Sequence, residues 1–169
     1  MPVIRHMWLF AFVLFAGSFF TTPLVAQVPP NCDVVQAKNP DRQVFECAGG
    51  LIIEAEAAAQ IGFGEAANTI ALERGATLIE VTPGTARTQI RTPHAIAAVR
   101  GTLYVVDVTS DSTAIFVVRG AVEVHHLRGD ANHVVLGPGE GVDVAPGTRL
   151  TVKTWGASRV TALMARFGR

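Results

Sequence analysis

Three histidines and one acidic residue lie close together in the second half of the chain. They are His125, His126 and His133, with Asp130 between them. Imidazole and carboxylate groups are metal ligands, so the group could hold a zinc ion. Adjacent residues on a strand point to opposite faces, so His125 and His126 could face one ion only across a bulge. We therefore interpret them as solvated histidines at a strand end and in a loop, and predict no metal site.

Few other residues could carry catalysis. His94 could act as a general base only with a nucleophile and an orienting acid nearby. Ser110 and Asp111 are close in sequence, but they lie in a polar group, Thr109 to Ser112, that a hairpin turn explains. Nothing in the chain resembles the G-x-S-x-G nucleophile elbow. The sequence therefore predicts no catalytic residue, no enzymatic activity and no cofactor.

A glycine-rich segment, Gly137-Pro138-Gly139-Glu140-Gly141, could suggest a phosphate-binding loop. It lacks the lysine and the following helix that such a loop requires. We interpret it as a cluster of β-turn residues. Arg100 could bind an anion or pair with a carboxylate such as that of Glu140, and we favour the ion pair.

The chain has two cysteines, Cys32 and Cys47. In an exported protein, two cysteines most simply form one disulfide. A redox switch or a metal pair is the alternative, but the spacing fits no common zinc pattern. Closing a loop of about 15 residues stabilises a fold by roughly 3 kcal/mol. The bridge would tie a loose, polar N-terminal segment, residues 27–43, to a first strand at Val44 to Cys47.

Residues 1–26 have the pattern of a secretory signal peptide with a signal helix. Arg5 makes the start weakly basic, Met7 to Phe20 is apolar, and Leu24-Val25-Ala26 suits a signal peptidase. An uncleaved anchor helix is the alternative, but the apolar run is shorter than the roughly 20 residues that a bilayer span needs. We therefore predict cleavage, a periplasmic location and no stable membrane span afterwards.

Length and charge limit the remaining possibilities. The 169 residues suffice for one domain with its own core. Lys and Arg number 14, as do Asp and Glu, so the formal charge is zero at neutral pH. A nucleic-acid-binding protein usually carries a basic stripe, and this sequence has none. We therefore expect no nucleic-acid partner.

After Cys47, short β-rich runs alternate with glycine and proline. Strands of about five residues recur at intervals of roughly 8–12 residues, which is typical of an all-β sandwich, barrel or solenoid. Periodicity alone does not distinguish among these three. Glu54 to Gln60 is ambiguous, because its alanines favour a helix. A turn is predicted at Glu73 to Gly75.

One stretch predicts a strand, a tight turn and a second strand. Pro93 donates no backbone N–H and biases Thr92 towards extended backbone, which suits the start of a strand. Ala95 to Val99 is apolar and mostly small, as in a buried strand. Gly101 supplies the backbone freedom of a sharp corner. Leu103 to Val108 is rich in β-branched and aromatic residues.

This stretch carries a family resemblance. TPHAIAAVRGTLYVVDV, then AIFVVRGAVEVHH, then VVLGPGEGVDV are similar to the periplasmic domain of the FecR family. That family has a TP-x-A-x-x-A-V-R-G-T block followed by strands and a block of the L-G-x-G-E-G-V type. The resemblance runs from about residue 49 to 147. The motif positions are Thr92, Pro93, Ala98, Val99, Arg100, Gly101, Thr102, Gly137, Gly139, Glu140 and Gly141.

The resemblance implies a fold and a general role. It implies an irregular β-solenoid, a β-helix-like stack of short strands, over residues 44–154, with strand at the ambiguous Glu54 to Gln60. The family's members are membrane-spanning sensor-regulators that control a sigma factor and receive a signal from an outer-membrane iron–siderophore transporter. This sequence departs from that plan, because it begins with a signal peptide and only a short helix follows the β-region. We therefore expect no direct control of a sigma factor.

Residues 155–169 predict a short amphipathic helix. Ser158 suits its N-cap, Arg166 its last turn and Gly168 its exit. We interpret it as a cap on the open end of the β-stack, with a docking helix for a partner as the alternative. The apolar positions share the i, i+3, i+4, i+7 spacing of one helical stripe, and they are Val160, Leu163, Met164 and Phe167.

Together these features predict a non-catalytic periplasmic module that binds another envelope protein or senses a signal. A module that binds a ligand, such as a glycan or a cell-wall fragment, is the alternative. Aromatic residues make up only 7% of the chain, which argues weakly against sugar recognition.

Overall fold

The computed structural model describes residues 31–64, 68–128 and 132–169. The predicted signal peptide, residues 1–26, lies outside the described residues. Among the residues described, no helix has both the length and the apolar character needed to cross a membrane.

Thirteen strands and one helix account for the regular structure of the described residues. They are β1 (Cys32–Ala37), β2 (Arg42–Cys47), β3 (Leu51–Glu56), β4 (Gln60–Phe63), β5 (Thr69–Val81), β6 (Thr88–Arg91), β7 (Ala95–Val99), β8 (Leu103–Val108), β9 (Thr113–Arg119), β10 (Val122–His126), β11 (His133–Leu136), β12 (Glu140–Val144), β13 (Lys153–Thr154) and α1 (Ala157–Ala165).

The strands form one curled sheet that folds into two layers, joined by the long strand β5. Layer A has the order β1-β2-β3-β5-β8-β9-β12-β13, and layer B has the order β4-β5-β6-β7-β10-β11. The first part of β5, Thr69 to Arg74, pairs in layer B with β4 and β6. Its second part, Gly75 to Val81, pairs in layer A with β3 and β8.

The all-β class predicted from the sequence is confirmed, but the stacked coils of a solenoid are not what the strand pairing shows. Strands of successive coils in a β-helix run parallel. In the described residues only β5 and β6 pair in parallel, and the other pairs are antiparallel. Tight turns such as Thr109 to Ser112 reverse the chain within a layer, so neighbouring strands run in opposite directions.

The N-terminal segment is more regular than the loose loop predicted for residues 27–43. Cys32–Ala37 is a strand, and it pairs with β2 along its whole length. The Cys32–Cys47 disulfide joins the first pair of residues in this hairpin. Val34 and Val35 are exposed, and the segment carries few apolar residues, which is why its composition did not predict a strand.

The structure contradicts one other local prediction and assigns one stretch that the sequence left ambiguous. Glu73 to Gly75 forms no turn, because β5 continues through it and bends from one layer into the other. The ambiguous stretch Glu54 to Gln60 is the end of β3, a short turn and the start of β4. Pairing with β2 and β5 overrides the helix propensity of its alanines.

The main core lies between the two layers. Val122 and Val124 point into it, while Glu123 between them points outward, as strand alternation predicts. Such burial of apolar surface is the main stabilising contribution to folding. The largest fully buried side chains of this core include Ile53, Ile79, Tyr104 and Ile115 from layer A, and Ile70, Leu72, Ile90 and Leu136 from layer B.

Tyr104 is the tyrosine of this core, and its hydroxyl has no hydrogen-bond partner among the described residues. Burial raises the pKa of this phenol above its ordinary value, so it stays neutral. An unsatisfied buried hydroxyl costs about 1–3 kcal/mol. We therefore expect Tyr104→Phe to stabilise the protein by about 1 kcal/mol, which raises Tm by roughly 2–4 °C in a chain of this size.

Thermal unfolding of both proteins by circular dichroism tests this expectation. Thr77→Val is the contrasting variant, because the buried Thr77 hydroxyl donates to the Glu54 carbonyl oxygen at 3.0 Å. Loss of that bond should lower Tm. If Tyr104→Phe lowers Tm as much as Thr77→Val does, the phenol hydroxyl has a partner in solution.

A second core lies on the outer face of layer A. Leu78, Val105 and Phe116 face outward there and are buried. Helix α1 and the residues around it cover them, with Leu163 and Phe167 buried against the sheet. The helix therefore covers a sheet face and not the open end of a stack, because that face is apolar and would otherwise contact water.

The ends of α1 also differ from the prediction. The N-cap is Gly156, two residues before Ser158, and no side chain caps the helix. Arg166 lies at the C-cap, and Gly168 follows with a φ of +73°. Val160 and Met164, the other stripe residues, are partly buried and pack against the same second core.

Candidate functional site

The first motif block builds a corner between the two layers. Arg100, Gly101 and Thr102 join β7 of layer B to β8 of layer A. The buried Thr102 hydroxyl donates to the Ala121 carbonyl oxygen at 3.0 Å. The Thr102 carbonyl accepts the Val81 N–H at 2.9 Å. These bonds fix the position of the corner and engage the hydroxyl and the carbonyl of Thr102 within the fold.

A second corner, at Gly120, lies directly against the first and returns the chain from β9 to β10. Gly120 has a φ of +89°, and Gly101 has a φ of +63°. A Cβ on Gly120 would lie 2.8 Å from both the Gly101 carbonyl oxygen and the Thr102 hydroxyl. Glycine is therefore required twice over, by the left-handed backbone and by the close approach of the two corners.

The start of the block forms a hydrogen-bonded turn between β6 and β7. The buried Thr92 hydroxyl accepts the Ala95 N–H at 2.9 Å and lies 2.8 Å from the Thr113 hydroxyl. His94 Nδ1 lies 3.1 Å from the same Thr113 oxygen. Thr113 is fully buried, so a substrate could not reach its hydroxyl. This network therefore closes one end of the core.

Among the described residues, the other catalytic candidates form no hydrogen bond with His94. Ser110 and Asp111 lie in the turn between β8 and β9, where the N–H groups of Asp111 and Ser112 donate to the Thr109 hydroxyl oxygen. That turn is the hairpin predicted from the sequence. Ala98 and Val99, the other motif residues of this region, are buried within β7.

The second motif block is a turn that passes the chain from β11 to β12. The Glu140 carboxylate accepts the Gly137 N–H at 2.7 Å, and the Gly139 N–H donates to the Val117 carbonyl oxygen at 2.9 Å. Glu140 is thus engaged within its own turn. The ion pair that the sequence favoured for Arg100, with the acidic partner left open, is not found: Arg100 is exposed and forms no ion pair with any described residue.

Gly141 of this block leaves room for an aromatic side chain. A Cβ at Gly141 would overlap the Trp155 indole, which lies over the strand at this point. Trp155 stacks on Phe116 with 5.1 Å between ring centroids, and the Arg159 guanidinium lies 3.4 Å above its ring centroid. Both motif blocks therefore serve the architecture.

An ion-pair network fastens the C-terminal segment to layer A. Arg166 donates to both carboxylate oxygens of Glu56, at 2.7 and 3.0 Å, and to Asp107 at 2.6 Å. Burial opposes the charge, but the two carboxylates hold the pKa of Arg166 above its ordinary value. Arg166 therefore stays charged and joins the helix end to β3 and β8.

Glu54 accepts from two further arginines. Arg42 donates to it at 2.8 Å and Arg169 at 2.7 Å. The carboxylate is mostly buried, with 11% of its side chain exposed. Burial acts to raise the pKa of Glu54, but the hydrogen bonds and charges of Arg169 and Arg42 outweigh it and lower the pKa.

Acid should therefore weaken this network. Since the pKa of Glu54 is lower in the folded chain than its ordinary 4.5, the pairing stabilises the fold fully above that pH. The stabilisation is lost as the pH falls through the folded pKa. We expect Glu54→Gln to be less stable than wild type at pH 7 and to lose less stability between pH 6 and pH 3.

Urea denaturation at several pH values measures this difference. Asp111→Asn is a suitable control, because Asp111 is exposed and forms no ion pair with any described residue. Parallel pH profiles for wild type and Glu54→Gln would contradict the prediction.

No helix or strand of the described chain packs on the outer face of layer B. We call this surface the layer B face and define it by two rows of outward residues that the strand register places side by side. One row is Arg91, Ile96, His125 and His133, and the other is Gln89, Ala98, Glu123 and Val135. Val135 is 58% exposed, the most exposed large apolar side chain described.

A polar cluster lies within this face. His125 Nε2 lies 2.8 Å from one carboxylate oxygen of Glu123, and Arg87 donates to the other at 2.7 Å. The His125 and His133 rings stack with centroids 5.1 Å apart. The hydrogen bond from His125, helped by the charge of Arg87, lowers the pKa of Glu123.

The sequence reasoning missed Glu123 and grouped the histidines differently. His126 is not part of the cluster, as expected from the alternation of side chains along β10. Asp130 lies outside the described residues. Strand alternation could have identified Glu123, because it lies two residues before His125 and must share its face.

The fold and the two glycine corners define a β-domain of the FecR type: the family model described as FecR protein matches residues 33–123, more than half of the chain. The chain therefore belongs to the FecR family. No curated protein matches the chain.

Two crystal structures of a "putative anti-sigma factor" from Parabacteroides distasonis ATCC 8503 have a similar fold. One has a TM-score of 0.60 at 19% identity, and the match covers 78% of this chain and 63% of that one. The other has a TM-score of 0.58 at 18% identity, with 82% and 62% covered. This chain thus spans less than two thirds of either chain.

Proposed function

We propose that this chain is a periplasmic FecR-domain module that catalyses no reaction, binds another envelope protein through the layer B face, and takes part in signalling. The observation that carries the proposal is the unequal covering of the two layers. Helix α1 buries the outer face of layer A, whereas no described helix or strand packs on the layer B face.

The composition of the layer B face supports a protein partner. It combines apolar side chains, Ile96 and Val135, with charged and polar groups at Arg91, Glu123 and His125. Protein interfaces have this mixture of apolar contact area and a polar rim. The motif residues of the family take part in turns and corners and offer no exposed nucleophile, which supports a binding role.

Two features support export. Residues 1–26 have the pattern of a signal peptide, and the Cys32–Cys47 disulfide suits an oxidising compartment. Cell fractionation with N-terminal sequencing of the periplasmic protein tests this part of the proposal. A mature chain that begins at Gln27 would support it, and full-length protein confined to the cytoplasm would refute it.

Variant-dependent capture tests the binding surface. The exported protein is cross-linked in its own envelope and purified as wild type, Val135→Glu and Thr161→Glu. Val135 lies on the layer B face, and Thr161 is an exposed residue of α1. We expect one partner protein with wild type and Thr161→Glu and its loss with Val135→Glu. Equal recovery with all three proteins would remove the layer B face from the proposal.

A specific observation favours ligand binding as the second candidate function. An open cleft of about 770 Å³ beside the start of β11 is lined by His126, Arg128, His133 and Arg149, among others. Its basic side chains suit an anionic ligand, such as a carboxylate-bearing cell-wall fragment. Calorimetry with soluble cell-wall fragments tests it, with Arg149→Ala as the variant that should lose binding.

A further inference from the structure

Three metal-ligating groups converge on the layer B face. Glu123, His125 and His133 each offer one ligand atom, and these atoms all lie within 4.8 Å of one another. Glu123 and His125 are two residues apart on β10, so they share a face. His133 lies directly opposite His125 on β11. The sheet itself therefore sets the spacing of all three groups.

The donor set is one that zinc prefers. Imidazole nitrogens and a carboxylate oxygen bind zinc at about 2.0–2.2 Å in tetrahedral geometry. His125 Nε2 and the Glu123 oxygen now lie 2.8 Å apart, as a hydrogen bond requires. An ion that displaced the shared proton would need only small side-chain rotations to separate these two atoms, with no movement of the backbone.

Arg87 would orient the carboxylate of such a site. It holds one Glu123 oxygen at 2.7 Å and leaves the other directed towards His125. A hydrogen bond of this kind to a ligand group fixes its orientation. The positive charge of Arg87 also weakens the attraction for a cation, so the site should bind an ion more weakly than it would without this arginine.

We propose that Glu123, His125 and His133 form a binding site for zinc or a similar divalent transition-metal ion on the layer B face. This replaces the interpretation of the histidines as unrelated solvated groups, which overlooked Glu123 and the cross-strand position of His133. Three protein ligands leave a fourth tetrahedral position open to water or to a donor from a partner. The side chains of Glu123 and His125 are about one-third exposed, so an ion can enter from solvent.

Calorimetric titration with zinc chloride tests the proposal, using the disulfide-bonded chain without a polyhistidine tag. We expect one ion per chain for wild type. Removing a residue that hydrogen-bonds to a metal ligand lowers metal affinity about 10- to 100-fold, and removing a ligand itself should lower it at least as much. His133→Ala should therefore bind at least about tenfold more weakly. His126→Ala should bind like wild type, because His126 is outside the cluster.

Titration with cobalt supplies a second readout, visible absorption, that does not depend on the heats measured by calorimetry. Tetrahedral cobalt in this site should give visible absorption bands that are absent with His133→Ala and reduced with Glu123→Gln. Circular dichroism of each variant checks that the fold is retained. Equal heats for wild type and His133→Ala, whether negligible or large, would overturn the proposal. So would a loss of binding in His126→Ala as large as that in His133→Ala.

Discussion

Replacing Phe167 with alanine is expected to lower the free energy of unfolding by about 4 kcal/mol. Phe167 lies just beyond the end of α1 and is only 1% exposed. It belongs to the second core, with Leu163, Trp155 and Phe116. Removing its ring leaves a cavity between the C-terminal segment and layer A. The relaxation needed to fill it is opposed by the Arg166 ion pairs, which hold this segment in place.

Urea denaturation of the purified chain measures this effect. Thr161→Ala is the matched control, because Thr161 is an exposed residue of the same helix, and it should change stability by no more than about 0.5 kcal/mol. A Phe167→Ala variant that unfolds at the same urea concentration as wild type would mean that the C-terminal segment does not pack on layer A in solution.

Replacing Gly120 with alanine is expected to cost about 3 kcal/mol or more. A side chain at a φ of +89° costs roughly 1–2 kcal/mol by itself. The new Cβ would also lie 2.8 Å from the Gly101 carbonyl oxygen, and relieving such an overlap costs about 1–3 kcal/mol. The two glycine corners would have to separate, which would disturb the passage of the chain between the layers.

Gly84→Ala is the control that separates these two contributions. Gly84 has nearly the same φ, +86°, but no atom lies within 4 Å of a Cβ placed there. It should therefore lose only the roughly 1–2 kcal/mol of backbone strain. Similar losses for Gly84→Ala and Gly120→Ala in urea denaturation would show that the contact between the corners contributes nothing.

The class of the fold and the family could be predicted because both depend on local sequence. The turn from Thr109 to Ser112, the corner at Gly101 and the alternation of Val122, Glu123 and Val124 are each properties of a few adjacent residues. Composition was a weaker guide where a strand is mostly exposed. Cys32–Ala37 was therefore missed, although its partner strand β2 was partly predicted.

The arrangement of the strands could not be predicted, because it depends on pairing between distant segments. Short strands with glycine corners are compatible with parallel coils and with antiparallel layers alike. In this protein β5 bends from one layer into the other, and β8 pairs antiparallel with both of its neighbours, so the strands form two layers and not parallel coils. The predicted solenoid failed for that reason.

What the sequence by itself determined is the kind of element at most positions, the apolar stripe of the C-terminal helix and the membership of the family. What only the tertiary structure decided is which surfaces meet. The stripe of α1 covers layer A because Leu78, Val105 and Phe116 from three strands form one apolar face. Glu123 and His125 meet His133 because β10 and β11 pair in one particular register. Both outcomes depend on contacts between strands, and such contacts leave no pattern in a local stretch of sequence.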